Sequence, residues 1–232
     1  MEATFTCIAA LDEDKAIVCT EKGDICLLDT SGGSQQLSLL ANVGFNITTF
    51  TMDFSKTVGW FGGKGGVLNM LNISDLLRQR LPTDGAYPTG TGTNVLGDSS
   101  THLVAIGSLD RHLVLVDSKH SVKIMPSVID DLPILPQSVA RELPAHPGPV
   151  NGVKVLSRPN IFGALFYSWS SDGNIFLWGI DGLIKGKAAI ELEEPESAIS
   201  ESDYGNELKA VQAAPITDIF ASGDRYGNLR YS

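Results

Sequence analysis

The chain of 232 residues is 43% hydrophobic and 19% charged, proportions that exclude an intrinsically disordered protein. Its 17 basic and 27 acidic side chains give a net charge of −10, which repels phosphate backbones, so we expect no direct contact with nucleic acid. No apolar run approaches the ~20 residues that cross a bilayer. Three cysteines behind an N-terminus without a secretory signal fit a reducing compartment, so we expect an intracellular protein, in the cytoplasm or the nucleus, with no membrane partner.

Five segments in chain order share one pattern, in which two apolar strands flank a tight turn. The turns centre on Gly23, Gly66, Arg111, Gly173 and Gly227. A hairpin closed by two residues needs positive φ, which Gly adopts without steric cost, and every turn except Leu109-Asp110-Arg111 places Gly second. The intervals between the turn centres are 43, 45, 62 and 54 residues, which indicates a repeat of ~40–45 residues with two insertions.

A further apolar strand is predicted before each hairpin. These first strands are Phe5–Ala10, Ile47–Phe54, Thr93–Leu96, Val150–Leu156 and Leu208–Ala213. A fourth strand is expected after the hairpin, for example Gln36–Ala41 and Lys187–Leu192. Short strands with turn signals at this density predict an all-β protein, and a radial array of four-stranded sheets is the arrangement that hides their edges.

Three segments fall outside this pattern. Residues 118–149 contain six prolines, too many for a central strand, and residues 191–207 contain seven acids and no base, so both are predicted to be insertions. Within the acidic insertion, Ser200 and Ser202 fit an acid-directed kinase, although a plain solubilising loop is the alternative. A short helix is predicted for residues 76–81, with Ser74 as its N-cap.

The glycines of the segment GWFGGKGGV (59–67) admit two interpretations, a phosphate-binding loop or a hairpin turn. Lys64-Gly65-Gly66 resembles the start of a phosphate loop, but that loop also requires a later Lys for the phosphate and a hydroxyl for Mg²⁺. Leu68, Asn69 and Met70 follow instead. We therefore predict a turn with an exposed Lys64, and we expect no nucleotide or other cofactor.

The sequence contains no catalytic or metal-binding constellation. The histidines show no metal-ligand spacing, and no Gly-x-Ser-x-Gly elbow is present, so we expect neither an enzyme nor a metal protein. Cys19 and Cys26 flank the turn at Lys22-Gly23, and a two-residue turn would place them opposite each other. Two buried apolar thiols are the preferred interpretation over a redox or metal role.

The fourth segment carries a more specific pattern. Ala145-His146 precedes the strand Val150–Val155, and Ser168-Trp-Ser-Ser-Asp172-Gly173 leads to Trp178. This pattern resembles a WD40 repeat, whose unit runs from Gly-His through Ser-x-Asp-Gly to Trp-Asp, with Ala145 and Gly179 replacing two of the family's residues. The resemblance implies a hydrogen-bonded structural tetrad of His146, Ser168, Asp172 and Trp178.

The same resemblance implies a WD40-like β-propeller, with about five recognisable four-stranded blades in a single domain over residues 1–232. The fifth segment lacks an outer strand, and seven blades are usual in this family. We therefore expect a partial propeller, incomplete at its C-terminus, that is completed by further blades of the full-length chain or of a partner chain.

Rigid sheets with loops at both ends favour a non-catalytic scaffold for protein–protein interaction within a larger assembly, with proteins or peptides as partners. The resemblance implies that the hairpin turns lie on one face. That face would gather the candidate partner-binding residues Lys64, Arg111, Arg225 and Tyr226. The alternative function is a reader of basic or modified peptides such as histone tails, which the acidic balance permits.

Overall fold

Short antiparallel strands joined by tight turns make up most of the chain. The computed structural model describes residues 4–78, 92–127, 140–193, 205–214 and 219–231, which form five separate sheets. We call these sheets blades 1 to 5. Blade 1 consists of β1 (Phe5–Ala10), β2 (Lys15–Thr20), β3 (Asp24–Asp29) and β4 (Gln36–Asn42). Blade 2 consists of β5 (Ile47–Met52), β6 (Val58–Gly63), β7 (Val67–Asn72) and β8 (Thr93–Asn94), with helix α1 (Ile73–Arg78) after β7.

The remaining blades follow the same plan. Blade 3 consists of β9 (Leu103–Leu109), β10 (His112–Asp117), β11 (Val122–Pro126) and β12 (Arg141–Glu142). Blade 4 consists of β13 (Val150–Val155), β14 (Phe166–Ser170), β15 (Asn174–Trp178) and β16 (Ile184–Ala189). Blade 5 has three described strands, β17 (Leu208–Ala213), β18 (Phe220–Asp224) and β19 (Leu229–Tyr231).

The five sheets are the blades of a β-propeller. In each sheet the strands are hydrogen-bonded in the order in which the chain forms them. The first strands of consecutive blades contact one another, from β1 through β5, β9 and β13 to β17, so the sheets are arrayed around their inner strands. The predicted fold class, an all-β propeller with five recognisable blades, is confirmed.

Four apolar clusters hold neighbouring blades together. Successive strand residues face opposite sides of a sheet, and a blade buried on both sides therefore needs apolar residues at consecutive positions. Segments such as HLVLVD in β10 and NIFLW in β15 meet this need. One cluster lies at each junction and includes Phe61 between blades 1 and 2, Trp60 between 2 and 3, Trp178 between 3 and 4, and Trp169 between 4 and 5.

The turns between the second and third strands contain three residues in blades 1, 2 and 4 and four in blades 3 and 5, so the two-residue turns expected from the sequence were wrong. In blade 4, for example, Trp169 pairs with Ile175, and the amide of Gly173 donates to the carbonyl of Ser170 at 3.1 Å. Gly173 has a φ of 91°, a conformation that closes a three-residue hairpin with a bulge. The segment Lys64–Gly66 is a turn of the same length between β6 and β7, as predicted, and it joins two antiparallel strands rather than a strand and a helix.

This difference in turn length changes the register around the cysteines. Cys19 pairs with Ile25 and Cys26 pairs with Val18, so Cys19 and Cys26 face opposite sides of blade 1. The predicted Cys19–Cys26 pair was wrong, because it assumed one turn residue too few. The residue opposite Cys19 is Cys7 on β1. All three thiols are free, and burial raises the pKa of Cys19 well above its ordinary value.

Blade 3 is displaced by one strand from the sequence-based assignment. Residues 93–94 pair with β7 as the outer strand of blade 2, so the first strand predicted at Thr93–Leu96 was wrong, and β9 is the first strand of blade 3. The turn at Arg111 therefore joins the first and second strands. The turn between the second and third strands carries His120, whose φ of 66° takes the place of the glycine found in the other blades. With His120 in place of Arg111, the intervals become 43, 54, 53 and 54 residues.

The predicted insertions and helix also need adjustment. Residues 118–149 contain β11 and β12, two strands of blade 3, so this segment is not an insertion throughout, and residues 128–139 lie outside the described part. Most of the acidic segment 191–207, including Ser200 and Ser202, also lies outside the described residues. Helix α1 begins before Ser74, and the residue that caps it is Asn72, whose side-chain oxygen accepts from the amide of Asp75 at 3.0 Å.

We predict that Gly173→Ala destabilises the protein more than Gly163→Ala does. Both glycines have positive φ, but a Cβ on Gly173 would lie 2.3 Å from the carbonyl oxygen of Ile190, whereas nothing lies within 4 Å of one on Gly163. Gly163→Ala should cost about 1 kcal/mol from backbone strain alone, and Gly173→Ala should cost more than about 2 kcal/mol. Denaturant unfolding of the two variants measures both values, and equal losses would contradict the predicted clash.

Candidate functional site

The two ends of the propeller carry different loops. Because neighbouring strands are antiparallel, the turns between second and third strands lie at one end, which we call the upper end, and the loops between first and second strands lie at the other, the lower end. Lys64, Arg225 and Tyr226 lie in upper turns, whereas Arg111 lies in the β9–β10 turn at the lower end. The candidate face that grouped Arg111 with the other three was therefore wrong in this one member.

The three upper residues remain candidate partner-binding residues. Lys64 is exposed in its turn, and the amide of the next residue, Gly65, donates to Nδ1 of His102 at 3.0 Å, which fixes the turn against the loop that enters blade 3. Arg225 lies 3.9 Å from the carboxylate of Glu207, and Tyr226 is 42% exposed. An exposed cation and an exposed phenol on rigid turns can contact an acidic or polar partner surface.

The predicted tetrad residues meet in the interior of blade 4. Trp178 ends β15, Ser168 lies in β14, and His146 enters from the loop before β13. The indole nitrogen of Trp178 lies 2.8 Å from Oγ of Ser168, and Nε2 of His146 lies 2.7 Å from the same oxygen. Ser170, which the sequence analysis did not include, connects His146 (3.2 Å) to Asp172 (2.5 Å).

The donors and acceptors of this network can be assigned. The indole of Trp178 can only donate, so Ser168 accepts from it and donates its own hydrogen to Nε2 of His146. A neutral histidine then carries its hydrogen on Nδ1 and donates it to Ser170. Ser170 in turn donates to Asp172, which can only accept as a carboxylate. The hydrogen bonds therefore run in a single direction from Trp178 to Asp172, and every hydrogen has an acceptor.

Burial explains the protonation state of His146. The imidazole stacks on Phe176 with ring centroids 4.1 Å apart, and only 8% of His146 is exposed. Burial lowers the pKa of His146 to about 4, against a smaller opposing effect of the Asp172 carboxylate, and Lys187 lowers it further. Burial would raise the pKa of Asp172, but hydrogen bonds from Ser170 and Asn174 hold it below its ordinary value. The network is thus a neutral imidazole connected through a hydroxyl to an ionised carboxylate.

The combination of serine, histidine and aspartate is not arranged for nucleophilic catalysis. Asp172 contacts Ser170 rather than the imidazole, so it does not orient the histidine as a catalytic aspartate would. Ser168, the hydroxyl that His146 could deprotonate, is 0% exposed and is already hydrogen-bonded to Trp178. The geometry is that of a structural network that ties the loop before β13 to the two central strands of blade 4.

Other upper turns are closed by acidic residues for which the sequence carried only a weak signal. In blade 3, Asp117 is almost fully buried and forms an ion pair of 2.6 Å with Lys123. In blade 5, Asp224 accepts from the side chains of Asn206 and Asn228, each at 2.8 Å. The common signal is an aspartate at the edge of the turn, and its partners differ from blade to blade.

Within the described ranges, no group of three or more His, Cys, Asp or Glu side chains is placed to hold a metal ion. Among the same residues, no helix has the length and apolar character that spanning a membrane requires.

Comparisons with known proteins support the fold and do not extend beyond it. No family model matches the sequence, and no curated protein matches it. Among solved structures, the chain is similar to the WD40 β-propeller domain of Doa1, with a TM-score of 0.62, 15% sequence identity and 99% of this chain covered. The chain spans 65% of the length of that structure. The likeness shows a β-propeller fold of the WD40 type.

We predict that the blade 4 network stabilises the fold. Trp178→Ala removes a fully buried indole and should cost about 3–5 kcal/mol of unfolding free energy. Ser168→Ala leaves the indole N–H and the imidazole nitrogen without a partner and should cost about 1–3 kcal/mol. Ser38→Ala, at an exposed position of β4, is the matched control and should change stability by less than about 0.5 kcal/mol. Denaturant midpoints equal to that of the parent for both network variants would refute the structural role.

We also predict that stability falls as the pH drops from about 6.5 towards 4. The unfolded chain binds a proton on this histidine near its ordinary pKa of 6.5, whereas the pKa of His146 in the folded protein is about 4. Protons therefore favour the unfolded state in this window, by up to about 3 kcal/mol at its lower limit. Unfolding should be measured at pH 7 and pH 5 for the parent and for His146→Gln. A parent with the same pH slope as the variant would contradict the prediction.

Proposed function

We propose that the protein is a non-catalytic scaffold for protein–protein interaction within a larger assembly. The observation that carries this proposal is an exposed apolar face on blade 1. At the four blade junctions, faces of this kind pack against each other in pairs, and their clusters are buried. On the outward side of blade 1, by contrast, Phe5, Ile8 and Leu37 are 57%, 67% and 51% exposed.

This outward face has the form of a blade–blade contact surface, and no other blade within the described residues covers it. Ile8 pairs with Val18 and Leu28 pairs with Leu37 across adjacent strands, so these four side chains share one side of the sheet. Together with Phe5 they line a groove of about 520 Å³. Exposed apolar patches rimmed by polar residues mark interaction sites in soluble proteins. We infer that a further β-blade covers this face.

Two observations support a blade as the occupant. On blade 5, the last described strand exposes Leu229 and Tyr231, each at 79%, so apolar residues are exposed on the terminal blades at both limits of the array. The similar WD40 propeller domain is also longer, since this chain spans 65% of its length. The free thiols Cys7, Cys19 and Cys26 support a reducing, intracellular location for the assembly.

The experiment compares self-association of residues 1–232 with that of two variants. An uncovered apolar face should make the isolated chain elute in size-exclusion chromatography as a species larger than a monomer. Ile8→Ser with Leu37→Ser should shift the elution towards the monomer, because it replaces two of the three exposed apolar side chains of the face with polar ones. Leu183→Ser, which changes a side chain that is 61% exposed at the lower end, is the matched control and should leave the elution unchanged.

The occupant is then identified in cells. A photo-crosslinking amino acid at position 8 of the expressed protein should attach to a β-sheet segment, either of the same polypeptide or of another, and the mass of the product distinguishes these sources. A parent chain that is monomeric and monodisperse, with no cross-link at position 8, would overturn the proposal.

A further inference from the structure

A second groove lies at the lower end and shares no lining residue with the groove on blade 1. It has a volume of about 690 Å³ and is formed where the first strands of blades 2, 3 and 4 end. Its polar lining comes from the ends of β5, β9 and β13 and from the loops that follow them. Its apolar lining consists of Met52, Phe54, Ile106, Leu109, Val155 and Leu156. Grooves of roughly 300–1,000 Å³ are the usual size of ligand sites in proteins.

Phe54 is held at the rim of this groove in an exposed position. Its side chain is 98% exposed, although it lies in a fixed loop. The carboxylate of Asp53 accepts from the amides of Thr57 and Val58 at 2.8 and 2.7 Å and from the hydroxyl of Ser55, so the loop is closed around it. Lys56 then donates to the carbonyl of Leu11 at 2.6 Å, which joins the loop to blade 1. A loop fixed in this way presents the aromatic ring of Phe54 to a ligand without losing loop entropy.

Among the residues that line the groove, carboxylates outnumber cations by two to one. Asp53 and Asp110 contribute carboxylates, and Lys154 contributes the one cation among the lining residues. The ammonium of Lys154 donates a hydrogen bond to Oε1 of Gln212 at 2.7 Å. Within the described residues, no basic side chain lies within ion-pair distance of Asp53 or Asp110. Burial would raise the pKa of Asp53, but hydrogen bonds from the loop around it hold that pKa below its ordinary value, so its charge persists.

We propose that this lower groove binds a short peptide in which an apolar side chain is adjacent to Lys or Arg. The apolar side chain packs on Phe54 and fills the groove between Leu109 and Leu156, while the cation pairs with Asp110 at the edge. The proposal rests on the scaffold function and names the chemistry of one of its partners. The alternative function from the sequence analysis, a reader of basic peptides, would then act at the lower end and not at the upper turns.

The lower groove favours a peptide over other ligand classes. A small molecule needs a site that encloses most of its surface, whereas a rim residue as exposed as Phe54 shows that this groove is open to solvent. A nucleic acid would bring phosphates to two carboxylates in a protein of net charge −10. A peptide can bury a single side chain and leave its backbone in water. The same end also exposes Ile161 and Phe162, at 82% and 64%, which can extend the apolar contact.

The test selects random displayed heptapeptides on the immobilised protein and measures each synthetic peptide by fluorescence anisotropy. We expect the selected sequences to share an apolar residue within two positions of Lys or Arg. Phe54→Ala should weaken their binding at least tenfold. Asp110→Asn, which removes the charge but tolerates the φ of 47° found at this position, should weaken binding several-fold and reduce its dependence on salt.

Leu183→Ala, which changes an exposed apolar residue at the same end that does not line the groove, is the matched control and should leave binding unchanged. Melting temperatures of all variants verify that the fold is intact. The proposal is overturned if no peptide is enriched, if selected peptides lack basic residues, or if Phe54→Ala binds as the parent does. If one of these results occurs and self-association still requires Ile8 and Leu37, the lower-groove proposal fails but the scaffold function stands. If peptides bind the lower groove but the chain does not self-associate, the lower-groove proposal stands and the proposal for the blade 1 face fails.

Discussion

The stability of this propeller depends on apolar contact between the faces of neighbouring blades. A single four-stranded sheet with apolar residues on both sides is not stable alone, because both faces would be exposed to water. Each blade here covers one side of the next. The four clusters at the blade junctions are therefore the core of the protein, which lies between blades rather than within any one of them. This constraint accounts for the dense apolar strands and the short turns. The exposed face of blade 1 is the same kind of surface, and no blade among the described residues covers it.

The sequence predicted the architecture better than the register. Apolar strands separated by glycine turns were sufficient to identify five blades, because a glycine with positive φ between two short apolar segments is typical of a β-hairpin. Blade 3 was misassigned because its turn uses His120 where the other blades use glycine. A histidine in the left-handed region leaves little sequence signal, and the nearby Asp110-Arg111 turn offered a plausible substitute. The error placed Arg111 at the upper end, whereas it lies at the lower end.

The interior of blade 4 was predicted in most of its members, and the omitted member is informative. His146, Ser168, Asp172 and Trp178 were identified by resemblance, but Ser170 was not, although it bridges His146 and Asp172. Ser170 is the serine of the Ser-x-Asp-Gly pattern, but the tetrad was assigned to Ser168 alone. The alternation along β14 places both serines on the side that His146 enters. The lower groove was not predicted, because its lining comes from three blades that are far apart in sequence. Contacts of that kind leave no local pattern.

The placement of the three tryptophans has a practical consequence. Trp60, Trp178 and Trp169 are 3%, 0% and 6% exposed, and each belongs to a different junction between consecutive blades. Indole emission shifts when water reaches the ring, so each residue is an intrinsic optical probe of one junction. Variants that retain a single tryptophan can report whether the junctions between blades 2 and 5 separate together or one after another. The junction of blades 1 and 2 contains none of the three, and it is optically silent in such an experiment.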